Sequence, residues 1–222
     1  SIVQMVVSHP YAPTFDWVFA GKNTVHTEAE ALEHFIRSEG EFAHLKSIPN
    51  SKKKIVLVRY EVGSPEIISL LIEAKKAGFG EVTLITDLNE ALDGNFPESK
   101  NEKFNSDFVN AQFKDSPMGK GLKALLSAGF EYGRDIFSQP LYNRRKQEMA
   151  PIMHEKELYL SFEDDNGIHL SQFYGTANMT DNGRYNRVLR IRDPRAIEYG
   201  LEHARLLQKA FSASEPISKI QS

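Results

Sequence analysis

One strand–helix–strand unit limits the possible folds of this chain more than any other feature. Lys54–Tyr60 is an apolar run rich in β-branched side chains, which is typical of a buried strand. Ser64 and Pro65 are a favourable N-cap and first residue for a helix that runs to Gly78. Glu81–Asp87 is a second strand. Because the three elements occupy only about 35 residues, they predict a βαβ unit with parallel strands and a right-handed crossover.

The rest of the chain predicts further helices and antiparallel strands. Thr27 and Glu30 have the spacing of a capping box, so a helix is expected from Thr27 to a stop at Gly40. Residues 88–117 lose periodicity and are interpreted as a polar loop or insertion. The later elements are a helix at Gly121–Ala128, strands at Pro151–Phe162 and Ile168–Tyr174 joined by the turn Asp164–Gly167, a strand at Arg187–Ile191 and a helix at Pro194–Phe211.

Length and composition indicate one globular domain over residues 1–222. The 222 residues are 41% hydrophobic and 26% charged, which suffices for a core and is too little charge for disorder. We predict an α/β fold with a mixed sheet sandwiched between helices. Residues 1–50 could be an N-terminal extension of this domain. Residues 212–222 could be a tail or a linker.

The same composition argues against several classes of protein and of site. No apolar run approaches the roughly 20 residues of a membrane span. The absence of cysteine excludes disulfides, catalytic thiols and thiolate metal sites. A net charge of −3 argues against a dedicated nucleic-acid packager but not against a local basic cleft. The location is unknown; the chain begins at Ser1, and a secreted or periplasmic protein is possible if a leader has been removed.

The residues with chemical potential are His154-Glu155-Lys156 and Gly175-Thr176-Ala177-Asn178. In a strand, His154 and Lys156 point to the same face about 7 Å apart. A neutral imidazole can attack phosphorus while an ammonium holds the phosphate oxygens. The turn after the hairpin returns beside them with a hydroxyl, an amide and backbone N–H groups. This combination favours phosphoryl chemistry.

The His-x-Lys spacing alone is a weak signal. The chain contains a second example, His44-Leu45-Lys46, in a polar stretch before the first strand. No Gly-Thr-x-Asn turn follows that copy across a hairpin. The functional interpretation therefore depends on the apolar strand, the returning hairpin and the turn together.

With these motifs the sequence resembles the phospholipase D superfamily, whose signature is His-x-Lys…Asp followed by Gly-Ser-x-Asn. His154-Glu155-Lys156 and Gly175-Thr176-Ala177-Asn178 match its two parts. Upstream, the strand–helix–strand unit with its Ala-Lys-Lys-x-Gly helix end looks like the opening of a domain in this family. Downstream, Asn186 and the strand and helix that follow it look like the last strand and helix of a domain in this family. The resemblance covers roughly residues 50 to 210.

The resemblance implies a phosphodiesterase that works through a phosphohistidine and needs neither metal nor cofactor. His154 would be the nucleophile or the acid and Lys156 the phosphate clamp, with Asn178, Thr176 and Gly175 completing the phosphate cradle. In this family two His-x-Lys motifs meet across a pseudo-twofold axis, whereas this chain has one matching motif. The second would come from a homodimer mate or from a missing second half. Phospholipid and nucleic acid both stay open as substrates.

Three departures from the family pattern motivate an alternative. The aspartate five residues after the lysine is Ser161, the serine of Gly-Ser-x-Asn is Thr176, and Arg187 stands where an acidic residue often follows the asparagine. These changes put the pKa tuning of the site in doubt more than the nucleophile. The alternative is a catalytically degenerate module that serves in dimerisation or in binding a phosphate ligand.

Two further features have open interpretations. A basic run could bind a polyanion or could lie on the solvated face of a strand; it consists of Arg184, Arg187, Arg190, Arg192 and Arg195. Three aromatic residues near the amino end, Phe15, Trp17 and Phe19, could anchor the chain at an interface or, as we favour, belong to a core or docking contact.

Overall fold

The computed structural model of the chain describes residues 15–21, 24–88, 91–93, 112–138, 153–179 and 186–212. The helices are α1 (Thr24–Arg37), α2 (Pro65–Lys76), α3 (Pro117–Ser127) and α4 (Pro194–Ser212), with 3₁₀ helices at Gly40–Ser47 and Asn50–Lys52. The strands are β1 (Phe15–Gly21), β2 (Lys53–Arg59), β3 (Glu81–Thr86), β4 (Leu92–Asp93), β5 (Gln112–Phe113), β6 (Ile136–Ser138), β7 (Lys156–Asp164), β8 (Gly167–Gly175) and β9 (Asn186–Ile191).

Seven of these strands form one mixed sheet in the order β1-β9-β8-β7-β2-β3-β6. The pairs β2–β3 and β3–β6 are parallel, and the pairs from β2 through β7, β8 and β9 to β1 are antiparallel. The remaining two, β4 and β5, pair with each other. The predicted βαβ unit is confirmed by the parallel register of β2 and β3.

Helices cover both faces of the sheet, because its central strands bury side chains on both sides. Ile55 and Leu57 of β2 lie in a core shared with α1, α2 and α3. Val56 and Val58, the alternating residues, pack in a second core with Ile197 of α4. This two-sided burial explains the unbroken apolar run of β2, and it confirms the predicted α/β sandwich.

Three predicted helix boundaries need correction. The first helix begins at Thr24 rather than at Thr27, because β1 ends at Gly21 and only two residues separate them. It ends at Arg37, where Ser38 takes a left-handed φ of 54°, before Gly40 is reached. The helix α3 begins at Pro117 rather than at Gly121, with the Ser116 side chain accepting a hydrogen bond from Gly119 N.

Two glycines near the start of α3 explain why its beginning was missed. Glycine lowers helix propensity, so Gly119 and Gly121 hide the helical pattern. Both are required by close packing. A Cβ at Gly119 would lie 2.0 Å from the Lys114 carbonyl oxygen, and one at Gly121 would lie 3.1 Å from the Ile68 side chain.

Before residue 50, the described residues 15–21 and 24–49 are part of the fold. The strand β1 pairs with β9 at the edge of the main sheet. Leu32 and Phe35 of α1 are fully buried in the larger core. The predicted polar loop at residues 88–117 contains the short pair β4–β5. Of residues 212–222, only Ser212, the last residue of α4, is described. No described helix has the length and apolarity needed to cross a membrane.

Candidate active site

Four strand ends carry the residues of the two sequence motifs to one end of the sheet. Arg59 ends β2 and Lys156 begins β7, and the two are register partners. Gly175 ends β8 opposite Val188, close to the start of β9. The turn after Gly175 then reaches the end of β2, where Met179 N donates to the Glu61 carbonyl at 3.0 Å. The structure therefore brings the His-x-Lys segment and the Gly-Thr-Ala-Asn turn to the same place.

His154 and Lys156 are in direct contact. The Lys156 Nζ lies 3.0 Å from Nδ1 and 3.4 Å from Nε2 of His154, and it donates to the His154 carbonyl at 3.0 Å. The strand begins at Lys156, so His154 precedes it rather than lying within it as predicted. The imidazole is exposed, and its ring centroid is 5.4 Å from that of Tyr60. A solvent-accessible imidazole thus sits against a fixed ammonium.

Lys156 is buried, with 6% of its surface exposed, and it forms no ion pair with the residues described. Burial lowers the pKa of this ammonium, and the positive charge of Arg59 lowers it further, while Glu61 acts in the opposite direction. A dehydrated cation without a carboxylate partner interacts strongly with any anion that reaches it. This is the electrostatic property that a phosphate clamp requires.

Beneath these residues lies an ion pair that the sequence analysis missed. Arg59 and Glu28 of α1 are both completely buried and are hydrogen-bonded to each other. Burial raises the pKa of Glu28, and the charge and hydrogen bond of Arg59 lower it. A Cβ added to Gly175 would lie 3.4 Å from Arg59 Nη2 and from Glu28 Oε2. The pair is therefore directly under the start of the Gly-Thr-Ala-Asn turn.

One sequence signal could have revealed this pair. Arg59 stands at the end of an apolar run, Ile55–Val58, whose side chains are buried, and a buried guanidinium needs an anionic partner. The partner was not identifiable, because Glu28 is 31 residues away on a helix whose packing the sequence does not specify.

The side chains of the turn have different roles in the structure. Thr176 Oγ1 donates to Asn186 Oδ1 at 3.2 Å and accepts from Arg187 N at 3.0 Å, so it ties the turn to β9. Asn178 Oδ1 is buried and has no hydrogen-bond partner among the described residues. A buried polar atom left unpaired is costly, and such atoms commonly mark a place for a bound group or water.

The middle residue of the His-x-Lys triplet points to the other side of the sheet. Glu155 Oε1 lies 2.6 Å from His203 Nε2 of α4. On the same side, Tyr159 donates to Glu157 at 2.6 Å and accepts from Gln172 at 3.2 Å. Burial raises the pKa of Glu157 and also that of Tyr159. These contacts join the motif strand to α4, away from the His154 side chain.

Ser161, which stands where the family has an aspartate, lies far from this site. Ser161 is five residues beyond Lys156 on β7, or about 16 Å along the strand. Its register partners are Lys54 and Leu170. The expectation that its loss disturbs the pKa of the site residues is not supported by this position, since Ser161 is distant from Lys156 and lies on the opposite face of the strand.

The weaker candidates lie elsewhere. His44 is exposed on the first 3₁₀ helix and contacts Phe162, at the end of β7 opposite to Lys156. Arg190 pairs with Glu41 and lies 5.4 Å from the Phe173 ring centre, so it has a packing role. Arg187 is exposed beside the turn. Over the described ranges, no cluster of three or more His, Asp or Glu residues could hold a metal ion.

The chain is similar to known proteins in structure and not in sequence. No protein-family model matches the sequence, and no curated protein is significantly similar to it. Nuc from Salmonella typhimurium, a phospholipase D family member, is 17% identical, with a TM-score of 0.43 over 78% of this chain and 90% of that chain. NucT from Helicobacter pylori is 13% identical, with a TM-score of 0.47 over 88% of this chain and 97% of that chain.

The polyphosphate kinase of Porphyromonas gingivalis is similar over one part of its length. It is 12% identical, with a TM-score of 0.50 over 86% of this chain and 26% of that chain. At this identity the similarity is one of fold. It agrees with the α/β fold with a mixed sheet that the sequence predicts.

Proposed function

We propose that this chain, which has a phospholipase D-like fold, is a metal-independent phosphodiesterase that forms a phosphohistidine at His154. The observation that carries the proposal is the contact between the exposed His154 imidazole and the buried Lys156 ammonium, 3.0 Å from Nζ to Nδ1. An imidazole held against an unpaired cation has both requirements of phosphoryl transfer in one place, a nucleophile and a clamp for the phosphate oxygens.

The proposed reaction has two steps. An unprotonated nitrogen of His154 attacks phosphorus, the bond from phosphorus to the leaving alcohol breaks, and that oxygen takes a proton from a second imidazole. Water then attacks the phosphohistidine, giving a proton to the second imidazole and releasing the phosphate monoester. Lys156 binds the non-bridging oxygens throughout, where negative charge accumulates. Asn178, whose amide oxygen is buried and unpaired, completes the phosphate cradle with Thr176.

The second imidazole would come from a second copy of the chain. His154 is exposed, so the His154 of a partner could approach it across a twofold axis. Two such imidazoles would titrate as a coupled pair, with one acting as nucleophile and the other as acid. The geometry supports phosphodiesters as the class of substrate.

The test is hydrolysis of bis(p-nitrophenyl) phosphate in EDTA, with the molecular mass in solution measured on the same sample. We expect turnover from a dimer and a loss of about 10³-fold or more in His154→Gln. His44→Gln is the matched control, because His44 has the same spacing to a lysine but lies at the other end of β7. Its turnover should equal that of the unaltered chain.

The intermediate provides a second measurement. Acid quenching during turnover of a slow diester should leave no adduct, whereas alkaline quenching should leave a phosphoryl group on the peptide containing His154. Turnover that EDTA abolishes would contradict the metal-independent mechanism. A folded dimer without turnover would contradict the phosphodiesterase proposal and favour a module that only binds a phosphate ligand.

A further inference from the structure

The Glu28–Arg59 pair has no simple explanation in terms of stability. Both side chains are fully buried, and the desolvation of such a pair commonly cancels its attraction, so apolar residues at the same positions are often as stable. Arg59 Nε and Nη1 and Glu28 Oε2 also lack hydrogen-bond partners within the described part of the chain. Unused buried donors add to the cost. The place of the pair in the fold is more informative than its energy.

Arg59 lies beside both halves of the candidate site. It is the register partner of Lys156 across β2 and β7. Its Nη2 atom would lie 3.4 Å from a Cβ built on Gly175, so its guanidinium is next to the start of the Gly-Thr-Ala-Asn turn. Glu28 holds that guanidinium from α1. No other described side chain combines these two relationships.

We propose that Arg59, held by Glu28, is a positioning residue for the reaction: it fixes Lys156 and the Gly175 turn relative to each other and keeps a positive charge beside the lysine. The pair itself is sealed from solvent and does not touch substrate. This inference rests on the proposed function, because it assigns the pair to the same site.

The charges that act on Lys156 are those of Arg59, at the end of β2, and of Glu61, in the loop that follows it. Glu28 pairs with Arg59 from α1, and His154 precedes the lysine on its own segment. Burial and Arg59 both lower the pKa of Lys156, and Glu61 opposes them. Removal of the Arg59 charge should therefore let the lysine keep its proton to higher pH.

The experiment measures Lys156 directly, without turnover. The ¹³Cε resonance of Lys156 is assigned by its absence in Lys156→Arg and is followed through a pH titration. In the double variant Glu28→Gln/Arg59→Gln, which removes both charges at nearly constant size, we expect the titration midpoint of Lys156 to rise, because the Arg59 charge that lowers it is gone. In Arg59→Lys, which keeps the charge, it should remain close to that of the unaltered chain.

The control is a second Arg–Glu pair, which lies away from the candidate site. Arg205 of α4 bonds both carboxylate oxygens of Glu81, which begins β3 at the other end of the sheet. Glu81→Gln/Arg205→Gln should leave the Lys156 midpoint unchanged. If Glu28→Gln/Arg59→Gln does not fold, Glu28→Leu/Arg59→Met removes the same charges with an apolar pair and should give the same rise.

The outcomes separate the two proposals. An unchanged Lys156 midpoint in a folded charge-free variant would overturn the positioning role, even if the unaltered chain hydrolyses the diester. A raised midpoint, together with an alkaline limb of kcat/KM that moves with it, supports both proposals. A raised midpoint in a chain that has no turnover supports the coupling of Arg59 to Lys156 and overturns its role in a reaction.

Discussion

Arg59 and Lys156 lie directly opposite each other in the register of β2 and β7, so two cations are neighbours at one end of the sheet. Glu28 pairs with Arg59, and Lys156 has no ion pair in the described ranges. Like charges facing each other across a strand pair are destabilising. Such local conflicts in natural proteins are concentrated at functional sites, and here the conflict coincides with the His-x-Lys motif.

The first prediction concerns the pH dependence of turnover. Lys156 acts as a cation, so its own contribution to the rate should be complete below its pKa and be lost above it. Burial and the Arg59 charge lower that pKa, so the fall should begin below the ordinary lysine value of about 10.4. The measurement is kcat/KM against pH for the diester. In Lys156→Gln the rate should be low, and this limb should disappear.

The second prediction concerns the missing aspartate. Ser161→Asp restores the family residue, but the position is about 16 Å from Lys156 along β7. The new carboxylate would face the exposed Lys54, its partner on β2. We expect kcat/KM to change less than about twofold, since charges farther apart than a Debye length are screened. A large gain in activity would show that Ser161 limits the site.

The third prediction concerns the stability of the buried pair. Glu28→Gln leaves Arg59 charged and unpaired, so it should lower the free energy of unfolding by about 3–5 kcal/mol in urea titrations. Glu28→Gln/Arg59→Gln should be more stable than the single variant, because no buried charge remains. Arg37→Gln, which breaks an exposed pair with Glu73, is the control and should change little. Strictly additive losses would contradict a coupled pair.

The fourth prediction concerns the glycine that joins the site to α3. A Cβ at Gly63 would lie 2.7 Å from Pro117 Cβ and 2.9 Å from Met118 N. Gly63 N also donates to the Met179 carbonyl, one residue after Asn178. Gly63→Ala should therefore displace the turn and lower kcat/KM. It should also lower the free energy of unfolding by about 1–3 kcal/mol.

The control for Gly63→Ala is Gly80→Ala. A Cβ at Gly80 would lie 2.2 Å from the Ser51 carbonyl oxygen, an equally severe clash at the other end of β2 and β3. This variant should lose stability while the folded protein keeps its kcat/KM. Equal losses of activity in both variants would mean that Gly63 has no specific link to the site.

The fold was predictable to the extent that it depends on local patterns. The apolar runs of β2 and β3, the Ser64 cap and the hairpin turn each depend on neighbouring residues, and the structure confirms them. The start of α3 was missed where glycines serve packing instead of helix propensity. The edge strand β1 was also not predicted, because its pairing with β9 joins segments about 170 residues apart.

The sequence by itself determined the two motifs, the βαβ unit and the hairpin that separates His154 from Asn178, because all of these are patterns of adjacent residues. The tertiary structure alone decided which residues meet. It placed Arg59 opposite Lys156 and paired Arg59 with Glu28 of α1. It left Ser161 and His44 away from the site. Register and burial arise from packing between distant segments, and no local period of the sequence encodes that packing.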